Sequence, residues 1–467
     1  MANTIDPQWA WAPYLPTAEA PWDLKKVGHL YRRLSFGATW RELEAGVQTG
    51  LEKTIDALFK GGDSQEQFEL ESVTAELKES IREANNGRQA SAYWLFRMLY
   101  SPHPVEEKFT LFWHNHFATS NAKVLNAGFM LRQYDLMHRY CLSSFRAMLR
   151  EMSTDPAMMV WLDTRLSKKG MPNENYAREL MELFSLGIGN YTEKDIREAA
   201  RAFTGWEIRD QQPFFNSEQH DAGEKTVLGQ TGNWKGEDIL RICLEQKSAP
   251  FFIVRKLFRF LISETIPASQ DLLRPLAEQF RKSDFDIGAL VRTMVRSNLF
   301  FAPAAYRTRV KAPVDFILGI VRALEGRVGT TALAQAMEEL GQNLFFPPSV
   351  KGWDGGQAWL NGQTILFRQN LALAFTSTED ARFGRRTDPA ALVQKYTKDG
   401  ETDAVEFFLR LFLQDDLPAE SRAKLSQYVQ KAQKQNYPVY WTQKDAADQR
   451  LRALCHLVLT LPEFQLD

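Results

Sequence analysis

Apolar side chains return every three to four residues almost from one end of this chain to the other. Stretches such as "QASAYWLFRMLYS", "APFFIVRKLFRFLIS" and "DIGALVRTMVRS" all carry this helical period, and few segments alternate with the period of two that a half-buried strand needs. A chain patterned in this way buries one stripe of each helix against other helices. The expected class is therefore mainly α, a multi-helical bundle or array with one small irregular or β-hairpin insertion near residues 206–236. Thirty-one Phe, twelve Trp and a hydrophobic content of 44% over 467 residues supply a large core.

Punctuation residues divide the pattern. The first 22 residues, rich in Pro and carrying Trp9, Trp11 and Trp22, read as an extended arm pinned by its indoles. A helical main body follows over 23–325, opening with a helix from about Asp23 to Leu34 that stops at Gly37, after which Thr39 caps the next from about Trp40. Residues 62–88 are polar and weakly periodic, a solvated helix or mobile insertion. Thr192 and Asp195 form a capping box, and from Trp206 to Gly236 the helical period vanishes into Gly, turn residues and short β-prone pieces. A C-terminal helical part, 326–467, contains a Pro/Gly-rich loop at 344–364; it equally forms one continuous domain with the main body.

Several functional classes lose their support. Fifty-seven Lys and Arg against 58 Asp and Glu give a net charge of -1, without the basic footprint that a phosphate backbone requires, so nucleic acid is not an expected partner. Cys141, Cys243 and Cys455 each lie in an apolar helical stretch and read as small buried hydrophobes. No run of 18 uncharged apolar residues points to membrane insertion, and no basic and then apolar leader is visible, so the expected location is cytoplasmic, with export only as a folded passenger of a signal-bearing partner. There is no P-loop, dinucleotide glycine fingerprint, nucleophile elbow, His-Glu-x-x-His helix or Cys-x-x-Cys.

Three constellations carry candidate chemistry. In "FWHNHF", residues 112–117 on a helix beginning near Pro104, His116 joins Val105, Phe109, Phe112 and Trp113 on one apolar stripe. His114 sits about 200° away beside Glu107 and Thr110, so one metal cannot take both imidazoles from a regular helix. A core histidine and a ligand are level readings for His116. In "NENYARELMELFSLG", Asn173 is the expected cap and Gly187 the stop; Tyr176, Leu180, Leu183 and Phe184 face the core. Asn175, Arg178, Glu179 and Glu182 gather opposite, either as a solvated face with pairs such as Glu174 and Arg178, or as carboxylates offered to a metal or to proton transfer. In "QHDAGEKTVLG", His220, Asp221 and Lys225 place a base, an anion and a cation around a glycine turn. Lys351, Trp353, Asp354 and Asn361 of "KGWDGGQAWLNG" read first as a Trp-pinned structural loop.

Together with "HLYRRLSFGAT", "AFTGW", "PPSVKGWDGGQAWLN" and the terminal "LPEFQ", these stretches resemble the bacterial family called domain of unknown function 1800, along nearly the whole chain. The resemblance implies export of many members and a frequent neighbour similar to the alkaline phosphatase and sulfatase superfamily, although a leader is not visible here. The residues themselves point to a metal-dependent hydrolase or oxidoreductase. Its expected catalytic groups are Glu179, Glu182, Arg178, His220, Asp221 and Lys225, and His114, His116, Glu179, Glu182 and His220 are candidate ligands for divalent zinc, iron or manganese. The alternative is a non-catalytic binding or chaperone partner of the phosphatase-like neighbour, in which these side chains are dispersed over the surface.

Overall fold

The computed structural model describes residues 5–400, 403–432 and 442–467. Helices dominate, as the period requires, and their ends sit where the capping chemistry places them. Thr39 with Glu42 and Thr192 with Asp195 each form reciprocal capping boxes. The arm before residue 23 contains one short helix, Pro7–Trp11, before it becomes extended. Two of its three indoles pin it: Trp11 Nε1 donates to Leu272 O at 2.7 Å and Trp22 Nε1 to Gly46 O at 2.9 Å, whereas Trp9 is half exposed. The polar 62–88 stretch is a single helix, Ser64–Ala84, that buries little beyond Leu70, Thr74 and Ile81.

The irregular window folds into two hairpins. β1 (Trp206–Arg209) pairs antiparallel with β2 (Gln212–Phe215), and β3 (Lys225–Val227) with β4 (Gln230–Gly232). Asp210 and Gln211 at the first turn and Leu228 and Gly229 at the second all have positive φ, the primed geometry whose twist matches paired strands. Neither turn uses the Asn-Gly signature, which explains why the sequence announces an insertion without the strand limits.

Two large cores lie side by side. One collects side chains mainly from residues 105–305, and the other combines 314–464 with residues from the first third of the chain. The helix Pro104–His116, here called the histidine helix, runs between them. It gives Phe109 and Trp113 to the first core and Leu111 to the second. Its polar back face is therefore buried as well: Glu107, Lys108, Thr110 and His114 are each at 0% exposure. Burial on this scale demands partners. Glu107 accepts from Trp94 Nε1 (3.1 Å), Arg97 Nε (2.9 Å) and the Tyr134 hydroxyl (3.0 Å), and Lys108 forms an ion pair with Asp315 at 2.5 Å. Burial pushes the Glu107 carboxyl up, but His138 and Arg97 beside it outweigh that effect and hold it below its ordinary value.

Candidate functional site

The histidine helix stays regular to His116, so its last turn sends three neighbouring side chains in three directions. His114 lies among Trp94, Phe345 and Trp353, and its Nε2 accepts the Phe345 N–H at 3.2 Å. Its Nδ1 is buried without a partner, and burial pushes the ring down to about 3, so it is neutral. Asn115 clasps the Pro/Gly-rich loop: Oδ1 accepts Trp353 N–H at 2.7 Å and Nδ2 donates to Trp353 O at 3.4 Å. Gly352 passes so close that a Cβ there would lie 2.1 Å from Asn115 Oδ1, and its φ is +82°. The tryptophans of that loop are its anchors, Trp353 and Trp359 being buried.

His116 turns toward a second helix. The segment "NENYARELMELFSLG" starts at Asn175, two residues beyond the Asn173 expected as cap, although the Asn173 side chain does accept the Asn175 N–H at 2.9 Å. After Asn175–Glu179 it widens into a π turn, Leu180–Ser185. Leu186 N–H reaches back five residues to Met181 O at 3.0 Å, the Ser185 hydroxyl donates to Leu180 O at 2.5 Å, and Gly187 at φ +84° ends the turn. Such a turn leaves terminal carbonyls without helical donors. Two side chains fill the gap: His116 Nε2 donates to Phe184 O at 3.1 Å, and Lys256 Nζ donates to Leu183 O at 3.0 Å.

Lys256, on the helix Ser248–Leu261, also donates to His116 Nδ1 at 2.9 Å. The Nε2–H···O bond to Phe184 fixes the tautomer of His116, so that Nδ1 is a bare acceptor. No carboxylate forms an ion pair with Lys256 among the described residues. Burial therefore acts unopposed and pushes the ammonium down to about 7, and burial followed by the Lys256 charge holds His116 well below the histidine range. A neutral Lys256 spends both of its N–H bonds on His116 and Leu183 O. Its side chain lines a groove with a volume of about 550 Å³ that is also walled by Glu182, Phe251, Phe252, Arg255 and Arg259.

The carboxylates cluster at the same end. Glu182 accepts the Tyr191 hydroxyl at 2.8 Å and lines the groove. Glu179 is half-buried with no hydrogen bond among the described residues, and burial, then the Glu182 charge, raises its pKa, with Arg178 and Lys351 opposing. Arg178 itself is occupied elsewhere, bidentate to Glu193 at 2.7 and 2.8 Å and bonded to Glu174 at 3.2 Å. It fixes neither Glu179 nor Glu182 by an ion pair.

The third constellation stands apart, bracing its own loop. His220 Nδ1 donates to Thr204 O at 3.0 Å, Asp221 pairs with Arg201 at 2.8 Å, and Lys225 Nζ donates to Asp221 O and Gly223 O at 2.6 and 2.8 Å. The Arg201 guanidinium holds Asp221 down to about 2. No hydrogen bond or ion pair joins this cluster to Glu179 or Glu182 among the described residues. Nor, among the described residues, do three His, Cys, Asp or Glu side chains gather as a metal-holding group. Sequence reasoning brought His116 and Glu182 to one place and missed Lys256, whose only signal was a lysine spaced four residues from both Phe252 and Phe260 on an aromatic stripe.

The family model described as protein of unknown function (DUF1800) matches residues 29–466. No curated protein and no solved structure matches the chain. Among the described residues no helix is long and apolar enough to cross a membrane.

Proposed function

The chain belongs to the DUF1800 family, and on that premise we propose that it is an enzyme working in the groove between the π turn and the helix Ser248–Leu261. One observation carries the reading: an unpaired lysine of depressed pKa, with both N–H directions held by His116 and a helix-end carbonyl, facing a groove that also holds Glu182. Lys256 supplies a neutral amine as base or as nucleophile toward a carbonyl carbon, and Glu182, oriented by Tyr191, transfers the proton. His116 positions the amine. Arg255 and Arg259 suit an anionic group on the substrate, and Phe251 and Phe252 an apolar portion, in a groove sized for a small metabolite.

Both ring nitrogens of His116 are engaged, so a divalent metal enters this reading through Glu179 and Glu182 and not through His116. The alternative of a non-catalytic partner for the phosphatase-like neighbour rests on Leu166, Met171 and Ile188, which are 60%, 79% and 80% exposed.

Reductive trapping tests the enzyme reading. Full-length protein is treated at pH 7 with a small aldehyde and cyanoborohydride, and the modified lysines are mapped by mass spectrometry. Lys256 is expected to react first, and at least about ten times faster than surface lysines, because a pKa near 7 leaves a large neutral fraction there. Reaction no faster than at the surface lysines refutes the assignment.

A further inference from the structure

The motif "HLYRRLSFGAT" contributes nothing to that groove. Its two arginines instead enter a buried cationic cluster outside that groove. Arg32 and Arg33 from the helix Leu24–Leu34, Lys311 from the turn before the helix Pro313–Ala323, and Arg368 from the helix Gly362–Thr376 are 6%, 0%, 5% and 2% exposed. None of the four forms an ion pair among the described residues. Nearby cations are already matched, Lys108 with Asp315, Arg307 with Asp416 and Arg309 with Glu264.

None of the four donates to a side-chain carboxylate among the described residues. Arg33 Nη2 donates to the main-chain oxygens of Ile262, Ala305 and Asp467 at 3.3, 3.0 and 3.4 Å, Arg32 Nη1 donates to Gln414, and Arg368 donates to Lys311 O at 2.7 Å and Gln465 Oε1 at 3.3 Å. Lys311 Nζ has no hydrogen bond and lies 3.7 Å above the Phe464 ring. Arg32 Nε, Arg33 Nε and Nη1, and Arg368 Nε are buried without partners. The nearest unmatched anion is the Asp467 side chain, which forms no ion pair and leaves Oδ2 without a partner. Four buried basic side chains thus have near them one side-chain carboxylate, Asp467, that is not already matched by an ion pair, and a buried charge without a counterion is costly.

Two of the four, Arg32 and Lys311, line a void of about 30 Å³ together with Gln414, Phe464 and the carboxylates of Asp467 and of Asp315, the latter already paired with Lys108. A site for one water takes roughly 10–15 Å³ on this scale, so the void holds a monatomic anion and little more. We propose that this void binds one halide-sized monovalent anion, bridging the Arg32 guanidinium and the Lys311 amine, which is protonated as the anion enters, and tying the first helix of the motif to residues 464–467. Because the segments it joins lie more than 270 residues apart in sequence, the anion acts as a clasp between the two ends of the second core. Burial pushes Lys311 down to about 7, with Asp467 opposing, so anion binding also draws a proton onto this amine.

Wild-type protein and Lys311→Met are melted at one ionic strength in sodium gluconate, chloride, bromide and sulfate. For wild type, chloride and bromide are expected to raise the melting temperature above that in gluconate by about 2 °C or more, against the general order in which strongly hydrated anions stabilise more. In Lys311→Met the ranking reverts to the general order. Equal shifts in both proteins, or stabilisation of wild type by sulfate alone, overturn the proposal. Crystals of wild type grown in bromide give an answer that does not depend on the variant folding: an anomalous peak between Arg32 and Lys311 supports the site, and water at that position refutes it.

Discussion

At the scale of single residues, the consequential side chain is one that composition hides among the chain's 57 cationic residues. Lys256 is short of countercharge: His116, Arg255, Arg259 and Glu182 are the titratable groups about it, and only Glu182 is acidic. Its folded pKa of about 7 lies below the unfolded value near 10.4, so between those pH values the unfolded chain binds the extra proton. Stability attributable to this group therefore rises as pH climbs from 7 to about 10. Lys256→Met should be least harmful, or even stabilising, at pH 7 and lose ground against wild type as pH rises; urea midpoints at pH 7 and 9.5 check the sign. The residues that the sequence did reveal, His116 and Glu182, were visible because periodicity fixes which face of a helix a side chain occupies. Lys256 was not, since its depressed pKa comes from packing between two segments 140 residues apart. His220, Asp221 and Lys225 are loop braces for the opposite reason: their partners lie close in sequence, Thr204 and Arg201 just before the loop and the carbonyls of Asp221 and Gly223 within it.

At the scale of elements, the histidine helix is amphipathic in sequence and buried on both faces in the fold. Its apolar stripe was legible; the burial of the opposite face was not, because Glu107, Thr110 and His114 look solvated until Trp94, Arg97 and Tyr134 arrive from other helices. Trp113 is fully buried and donates to Cys141 O at 2.9 Å. Trp113→Ala should cost about 3–5 kcal/mol in urea unfolding, the price of a large cavity and a lost hydrogen bond. Glu107→Gln should cost about 1–3 kcal/mol, since Arg97 loses its buried counterion and keeps only the half-exposed Glu71. Because the folded pKa of Glu107 is depressed, this contribution is present above its unfolded value and fades as pH falls, so the wild-type advantage over Glu107→Gln should narrow toward pH 4. The π turn is the element that sequence could not supply: helical periodicity over 175–186 does not announce the extra residue in the turn that presents Leu183 O and Phe184 O to Lys256 and His116.

At the scale of the whole molecule, the class was written in the periodicity, and the insertion at 206–236 in its loss. The convergence was not, because it depends on which helices cross: the end of the histidine helix meets the π turn, the lysine helix and the Gly352 loop at one place. If Glu179 and Glu182 hold a divalent metal, elemental analysis of purified protein should show about one ion, reduced in Glu179→Ala with helical content unchanged; metal-free wild type would leave the lysine to act alone. The central claim is that Lys256 is a neutral amine in the folded protein near pH 7. It is tested most directly by NMR titration of protein carrying 13Cε-lysine, with the Lys256 signal assigned by its loss in Lys256→Met. A midpoint at about 7 is predicted. A midpoint near 10, the ordinary lysine value, would contradict the proposed chemistry of the groove.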